Sequence, residues 1–136
     1  MKQTLRLAAL LAAGPLVAAG PLPASAAAAP TTIKFTAIQY HATQKGKVVS
    51  FQEHLISAGR TIGHDSISCT EVGHSLHCTG TFFFTSGVLH VKATVGSGNV
   101  NHGTVTSGTG RYAGRTGTFT LTDITSTRTT IVVSLR

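Results

Sequence analysis

The side chains of this 136-residue chain that could do chemistry are four carboxylates, seven histidines, two tyrosines and two cysteines. The carboxylates are Glu53, Asp65, Glu71 and Asp123. Glu71 alternates with Ile67 and Cys69, and Asp123 with Phe119 and Leu121, so a period-2 backbone turns both toward an apolar face. That makes Glu71 and Asp123 the candidate catalytic residues, each near a strand end. A partly buried carboxyl has a raised pKa and suits general acid chemistry. The alternative places each of them at a rim, in solvent or beside an arginine. Tyr40, Phe82, Phe84 and Phe119 are the candidate ligand-binding residues, the tyrosine for its hydroxyl and the phenylalanines for an apolar wall. Tyr112 could serve as Tyr40 does, and Arg111 and Arg115 beside it could hold an anion; packing and solvation are the plainer roles for these three.

Other chemistries find less support. His64, His74 and His77 cluster in sequence, but a metal site needs three or four ligands in fixed geometry. The groups that would complete one are missing or committed, so neither a metal nor a cofactor is expected. No nucleophile elbow is present to suggest a hydrolase. Cys69 and Cys78 fit a disulfide. A two-residue turn at Gly73-His74 sets Val72 opposite Ser75, Glu71 opposite Leu76, Thr70 opposite His77 and Cys69 opposite Cys78. Opposed residues in an antiparallel pair are close enough to bridge.

The elements that must position these groups are strands. Beyond the N-terminal segment no helical period survives, and threonine falls on alternate positions, as at Thr116, Thr118, Thr120 and Thr122. Eight strands are predicted, over about 31–42, 47–57, 61–72, 75–85, 88–95, 99–106, 116–123 and 127–135. The turn signals between them include Lys45-Gly46, Ala58-Gly59, Ser86-Gly87 and Gly96-Ser-Gly98. Strands of this number with hairpin-length loops predict an all-β fold, an eight-stranded antiparallel β-barrel, which leaves no exposed edge. A sandwich is the alternative. The apolar faces predicted to point inward are Ile67, Cys69, Glu71; Leu76, Cys78, Gly80, Phe82, Phe84; Phe119, Leu121, Asp123; and Ile131, Val133, Leu135. A barrel of this size holds either packed side chains or one small ligand.

Between the sixth and seventh strands lies Ser107-Gly-Thr-Gly-Arg-Tyr-Ala-Gly-Arg-Thr-Gly117. A phosphate-binding loop would need a helix after it. The residues after Gly117 alternate as a strand instead, so a wide, bulged turn is the reading. Gly108-Thr-Gly-Arg-Tyr-Ala-Gly114 with Gly117 resembles the glycine turn of the allene oxide cyclase/dirigent superfamily. The resemblance continues through Gly59-Arg-Thr-Ile-Gly63, Cys69, Cys78-Thr-Gly-Thr-Phe-Phe-Phe84 and Gly87-Val-Leu, over about residues 48 to 123, and fits best the small secreted bacterial branch. Ser107 and Arg115-Thr116 depart from the pattern. The resemblance implies a cavity that binds a small apolar or phenolic molecule and guides its cyclisation or coupling, an isomerase-like role. It also implies a homo-oligomer, since dimers and trimers occur among such proteins. Plant allene oxide cyclases carry an acid on the first strand; Ile33 to His41 contains none, which speaks against that particular mechanism. Dirigent proteins use paired aspartates to protonate a quinone methide, and here only Asp65 and Asp123 are aspartates. A non-catalytic binding or surface protein on the same scaffold is the alternative function.

Residues 1–26 read as a secretory signal peptide: Lys2 and Arg6, an apolar run from Leu7 to Ala19, and a small-residue cleavage site at Ala24-Ser-Ala26. The run is too short to cross a membrane. The rest, 27–136, is expected to be one secreted domain. Without Lys2 and Arg6, nine of the 11 Lys/Arg face four acids, a net charge of +5. These charges are scattered singly rather than clustered with aromatics, so nucleic acid is not an expected partner.

Overall fold

Alternating β-branched and polar residues, punctuated by glycine, produce a chain built entirely of strands and turns over residues 29–136, the part that the computed structural model describes. The expected leader lies outside the described residues. The strands are β1 (Thr31–Lys45), β2 (Val48–Ser57), β3 (Arg60–Val72), β4 (Ser75–Phe84), β5 (Gly87–Val95), β6 (Val100–Gly110), β7 (Gly117–Thr125) and β8 (Arg128–Leu135). Each pairs antiparallel with its chain neighbours, and β8 returns to β1, from Thr31 opposite Leu135 to Ile38 opposite Arg128. The result is a closed eight-stranded up-and-down barrel in which every strand has two partners.

The β3–β4 register is the predicted one, with Val72 opposite Ser75 and Cys69 opposite Cys78. Gly73 supplies the positive φ of 64° that this tight turn requires. Cys69 and Cys78 form a disulfide with Cα atoms 4.0 Å apart.

Two strands run longer than the sequence predicts. β1 continues to Lys45 past a bulge that leaves Tyr40 as the extra residue, since Gln39 faces Glu53 while His41 faces Gln52. β6 continues to Gly110 past a second bulge, where His90 faces Ser107 and Val91 faces Val105. The first part of the glycine-rich stretch is therefore strand, and the turn begins at Arg111. Its purpose is visible in the packing. Tyr112 folds back into the barrel end, against Phe84 at 5.8 Å between ring centroids, and is buried. A Cβ on Gly108 would lie 2.8 Å from that of Tyr112 and closer still to its carbonyl oxygen.

The barrel has two unlike halves. At the end capped by Tyr112, the interior is filled by Phe35, Leu55, Leu89, Val133 and Leu135, all buried. Phe84 belongs to this half, edge-on to Phe35 at 5.6 Å. At the opposite end, where the turns 45–48, 72–75, 95–100 and 125–128 lie, the interior is open.

Candidate functional site

The open half is a cavity of about 290 Å³. Apolar side chains on the inward positions of six strands make its wall, among them Phe51, Ile67, Phe82, Phe119, Leu121 and Ile131. Phe82 and Phe119 meet edge-to-face at 5.9 Å. The Cys69–Cys78 bridge is part of the same wall. Near the mouth the lining turns polar, with Gln39, Asn101, Thr129 and Asp123.

At the inner end of the cavity stand two carboxyls that strand-end reasoning passes over. Glu53 on β2 and Asp65 on β3 are directly opposed across the strand pair and both line the cavity. Glu53 is 7 % exposed and Asp65 1 %. With both groups ionised, neither Asp65 oxygen has a hydrogen-bond partner. A proton on Asp65 relieves this, because Asp65 can then donate to the Glu53 carboxylate. Burial is the main cause that pushes Asp65 up, to about 9, with the charge of Glu53 and the hydrogen bond to it adding to the shift. Glu53 is raised as well, first by burial and further by the charge of Asp123, while the bond from Asp65 works in the other direction. The two are coupled, and Asp65 keeps its proton through neutral pH. Such a pair can accept a proton at one atom of a ligand and return one at another.

The alternation that places them was present in the sequence: Glu53 lies between Phe51 and Leu55, and Asp65 precedes Ile67 and Cys69 in the same phase. Alternation turns each of them inward, but their direct opposition depends on the bulge between Leu55 and Ile56 that shifts the register of β2 against β3.

The candidates chosen from sequence are distributed differently. Phe82 and Phe119 line the cavity. Phe84 lies in the filled half, away from the cavity. Asp123 stands at the mouth, exposed, and accepts a hydrogen bond from the Thr129 hydroxyl at 3.2 Å. Glu71 keeps the inward phase of β3 but lies beyond the rim of the barrel, exposed and outside the cavity lining. Tyr40 is 51 % exposed on the outside, in the outward phase of β1 next to the inward Ala37 and Gln39. There it stacks on His54 at 4.2 Å and its hydroxyl donates to Gln52 at 3.2 Å. Arg115 is committed to backbone carbonyls, donating to Arg136 at 3.0 Å and Ala29 at 2.8 Å. Tyr112 is the plug of the closed end. Among the described residues, no group of three or more His, Cys, Asp and Glu gathers as a metal site would need.

A closed eight-stranded antiparallel barrel with one open, aromatic-lined half is a fold that this chain shares with solved dirigent proteins. No family model and no curated protein sequence matches the chain. Among solved structures, a pyocyanin demethylase is similar with a TM-score of 0.68 at 16 % identity, over 78 % of this chain and all of that one. The pterocarpan synthase dirigent protein GePTS1 is similar with a TM-score of 0.67 at 13 % identity, over 79 % of this chain and 87 % of that one. A second such protein, PsPTS1, gives 0.61 at 13 % identity, over 79 % and 93 %. At these identities the likeness establishes the fold.

Proposed function

We propose that the cavity binds a small aromatic molecule, apolar or phenolic, and that the Glu53–Asp65 pair moves a proton on it in an isomerase-like reaction. The observation that carries this reading is the pair itself: two directly opposed, buried carboxyls at the inner end of an aromatic cavity, where burial pushes Asp65 up to about 9. The names of the structural neighbours, a demethylase and two pterocarpan synthase dirigent proteins, agree with a barrel that takes small ring compounds. A volume of about 290 Å³ lies at the small end of ligand cavities, roughly 300–1,000 Å³.

Glu53, the more accessible of the two, is the group that meets the ligand. Asp65 acts through it, by holding the shared proton. In an isomerisation one C–H or O–H bond of the ligand breaks as its proton passes to the carboxylate. The pair's other proton then forms a new C–H or O–H bond elsewhere on the ligand. No electrons are gained or lost overall. The apolar wall excludes water and fixes the conformer that reacts. We infer further that the chain is exported, with residues 1–26 as its leader; the disulfide supports this, since such bonds persist in oxidising compartments.

The test is deuterium incorporation, read by mass spectrometry, from D₂O into a panel of phenols, enones and quinone methides, with ligand binding followed in parallel by thermal shift. Incorporation catalysed by the native protein and reduced roughly 100-fold or more in Glu53→Gln is the expected result. Binding without incorporation would leave a non-catalytic binding protein, and no binding by any compound would overturn the reading.

A further inference from the structure

The chain is basic overall, with 11 Lys/Arg against four Asp/Glu, yet three of those four acids line one cavity. Glu53 and Asp65 stand at its inner end and Asp123 at its mouth. No arginine lines the cavity. Lys92 is the one basic residue along it, and Lys92 is exposed on the outward phase of β5, between the inward Val91 and Ala93. The groups that face Glu53 from its neighbours are Gln39 on β1 and Asp65 on β3, with Asp123 on β7 close enough for its charge to be felt. His54 and His64, on the same two strands, are exposed on the outer surface. A second feature points to a ligand: neither oxygen of Asp65, 1 % exposed on the cavity wall, meets the geometry of a hydrogen bond within the protein, and no lysine or arginine stands beside it. The acids of this lumen are thus left without a protein counter-ion.

The wall suits what would supply one. Phe51, Phe82 and Phe119 surround the space, and aromatic faces attract organic cations, more strongly when both are removed from water. We propose that the cavity is selective for a small aromatic or alkyl ammonium cation, seated among these rings with its charge toward Glu53 and Asp123. The inference rests on the reading of the cavity as the ligand site and adds the charge of the ligand to it. Cation and proton compete for the Glu53–Asp65 pair, so binding releases a proton and tightens as pH rises through the titration of that pair.

The measurement is titration calorimetry of the full mature chain with three probes: phenyltrimethylammonium, its neutral isostere tert-butylbenzene, and p-cresol. The expected result is a preference of roughly tenfold or more for the cation over its isostere. That preference should fall severalfold in Glu53→Gln and, independently, in Asp123→Asn, whose exposed position keeps folding out of question. It should also fall between pH 8 and pH 5, with proton release at the higher pH seen as a dependence of the heat on buffer ionisation enthalpy. Equal binding of cation and isostere, or binding of p-cresol alone, overturns the charge selectivity and leaves the aromatic cavity standing. Binding of none of the three overturns both.

Discussion

Asp65 is where charge and burial conflict most. A carboxyl with almost no exposure and no donor is tolerated because it keeps its proton. Its ordinary value of 3.8 is raised to about 9 in the folded chain, so between these pH values the native state binds a proton that the unfolded chain has released. Stability must therefore be greatest at the acid side and decline as pH rises from about 4 toward 9, the reverse of the usual salt-bridged aspartate. Glu53 shifts in the same direction and adds to the slope. Asp65→Asn keeps the shape, removes the titration, and should flatten much of this decline. At pH 8 the variant should be more stable than the native chain, by an amount on the order of a few kcal/mol. Urea midpoints of both proteins at pH 5 and pH 8 check it, and equal pH slopes would mean that Asp65 titrates as an ordinary surface acid. The residue was legible in the sequence only through its phase with Ile67 and Cys69. Nothing in composition shows that β2 sets Glu53 opposite it, since that depends on a cross-strand register.

The elements themselves were largely legible because each strand announces its period and each turn its glycine. The β3–β4 hairpin was readable to the residue, since a two-residue turn and two cysteines leave little choice of register. The bulges were not readable. An extra residue, such as Tyr40, changes no composition but reverses the phase of those that follow it, so His41 faces outward opposite Gln52 instead of inward after Gln39. The glycine-rich stretch shows a further limit: its glycines signalled close approach, but not to what. In the structure they make room for Tyr112, which crosses back over Gly108 and Gly87 to seal the barrel. A methyl group on Gly108 would meet the Tyr112 backbone and Cβ at 2.4 to 2.8 Å, so Gly108→Ala should displace the plug. The expected loss is about 1–3 kcal/mol, typical of overpacking a filled interior. Tyrosine emission gives a direct readout, as the chain has no Trp and its other tyrosine, Tyr40, is on the outer surface. An unchanged spectrum and denaturation midpoint would show that the turn can shift without moving the ring.

At the scale of the whole molecule, a barrel is stable only if its last strand finds its first, and the seam between β1 and β8 joins strands at opposite ends of the chain. Such closure brings a long-range entropy cost that local hairpins avoid. One side chain bridges the seam from a third place. Arg115, from the turn before β7, donates to the carbonyl of Arg136 at 3.0 Å, to the carbonyl of Ala29 at 2.8 Å and to the hydroxyl of Thr31 at 3.1 Å. The backbone N–H of Arg136 in turn donates to the Thr116 carbonyl at 2.8 Å. The planar guanidinium with its several donors is suited to holding two chain ends at once, which a lysine could not do. Arg115→Ala should therefore weaken the seam specifically. A loss of about 1–2 kcal/mol is expected, less than the sum of three charge-assisted bonds because water replaces part of them at this half-buried site. Amide hydrogen exchange distinguishes this from general destabilisation. Protection should fall first at Thr31 to Phe35 and at Val132 to Leu135, while the β3–β4 hairpin, held by its disulfide, keeps its rates. Arg115→Lys should recover only part of the protection. Uniform loss across all eight strands would mean that Arg115 contributes to overall stability and not to closure.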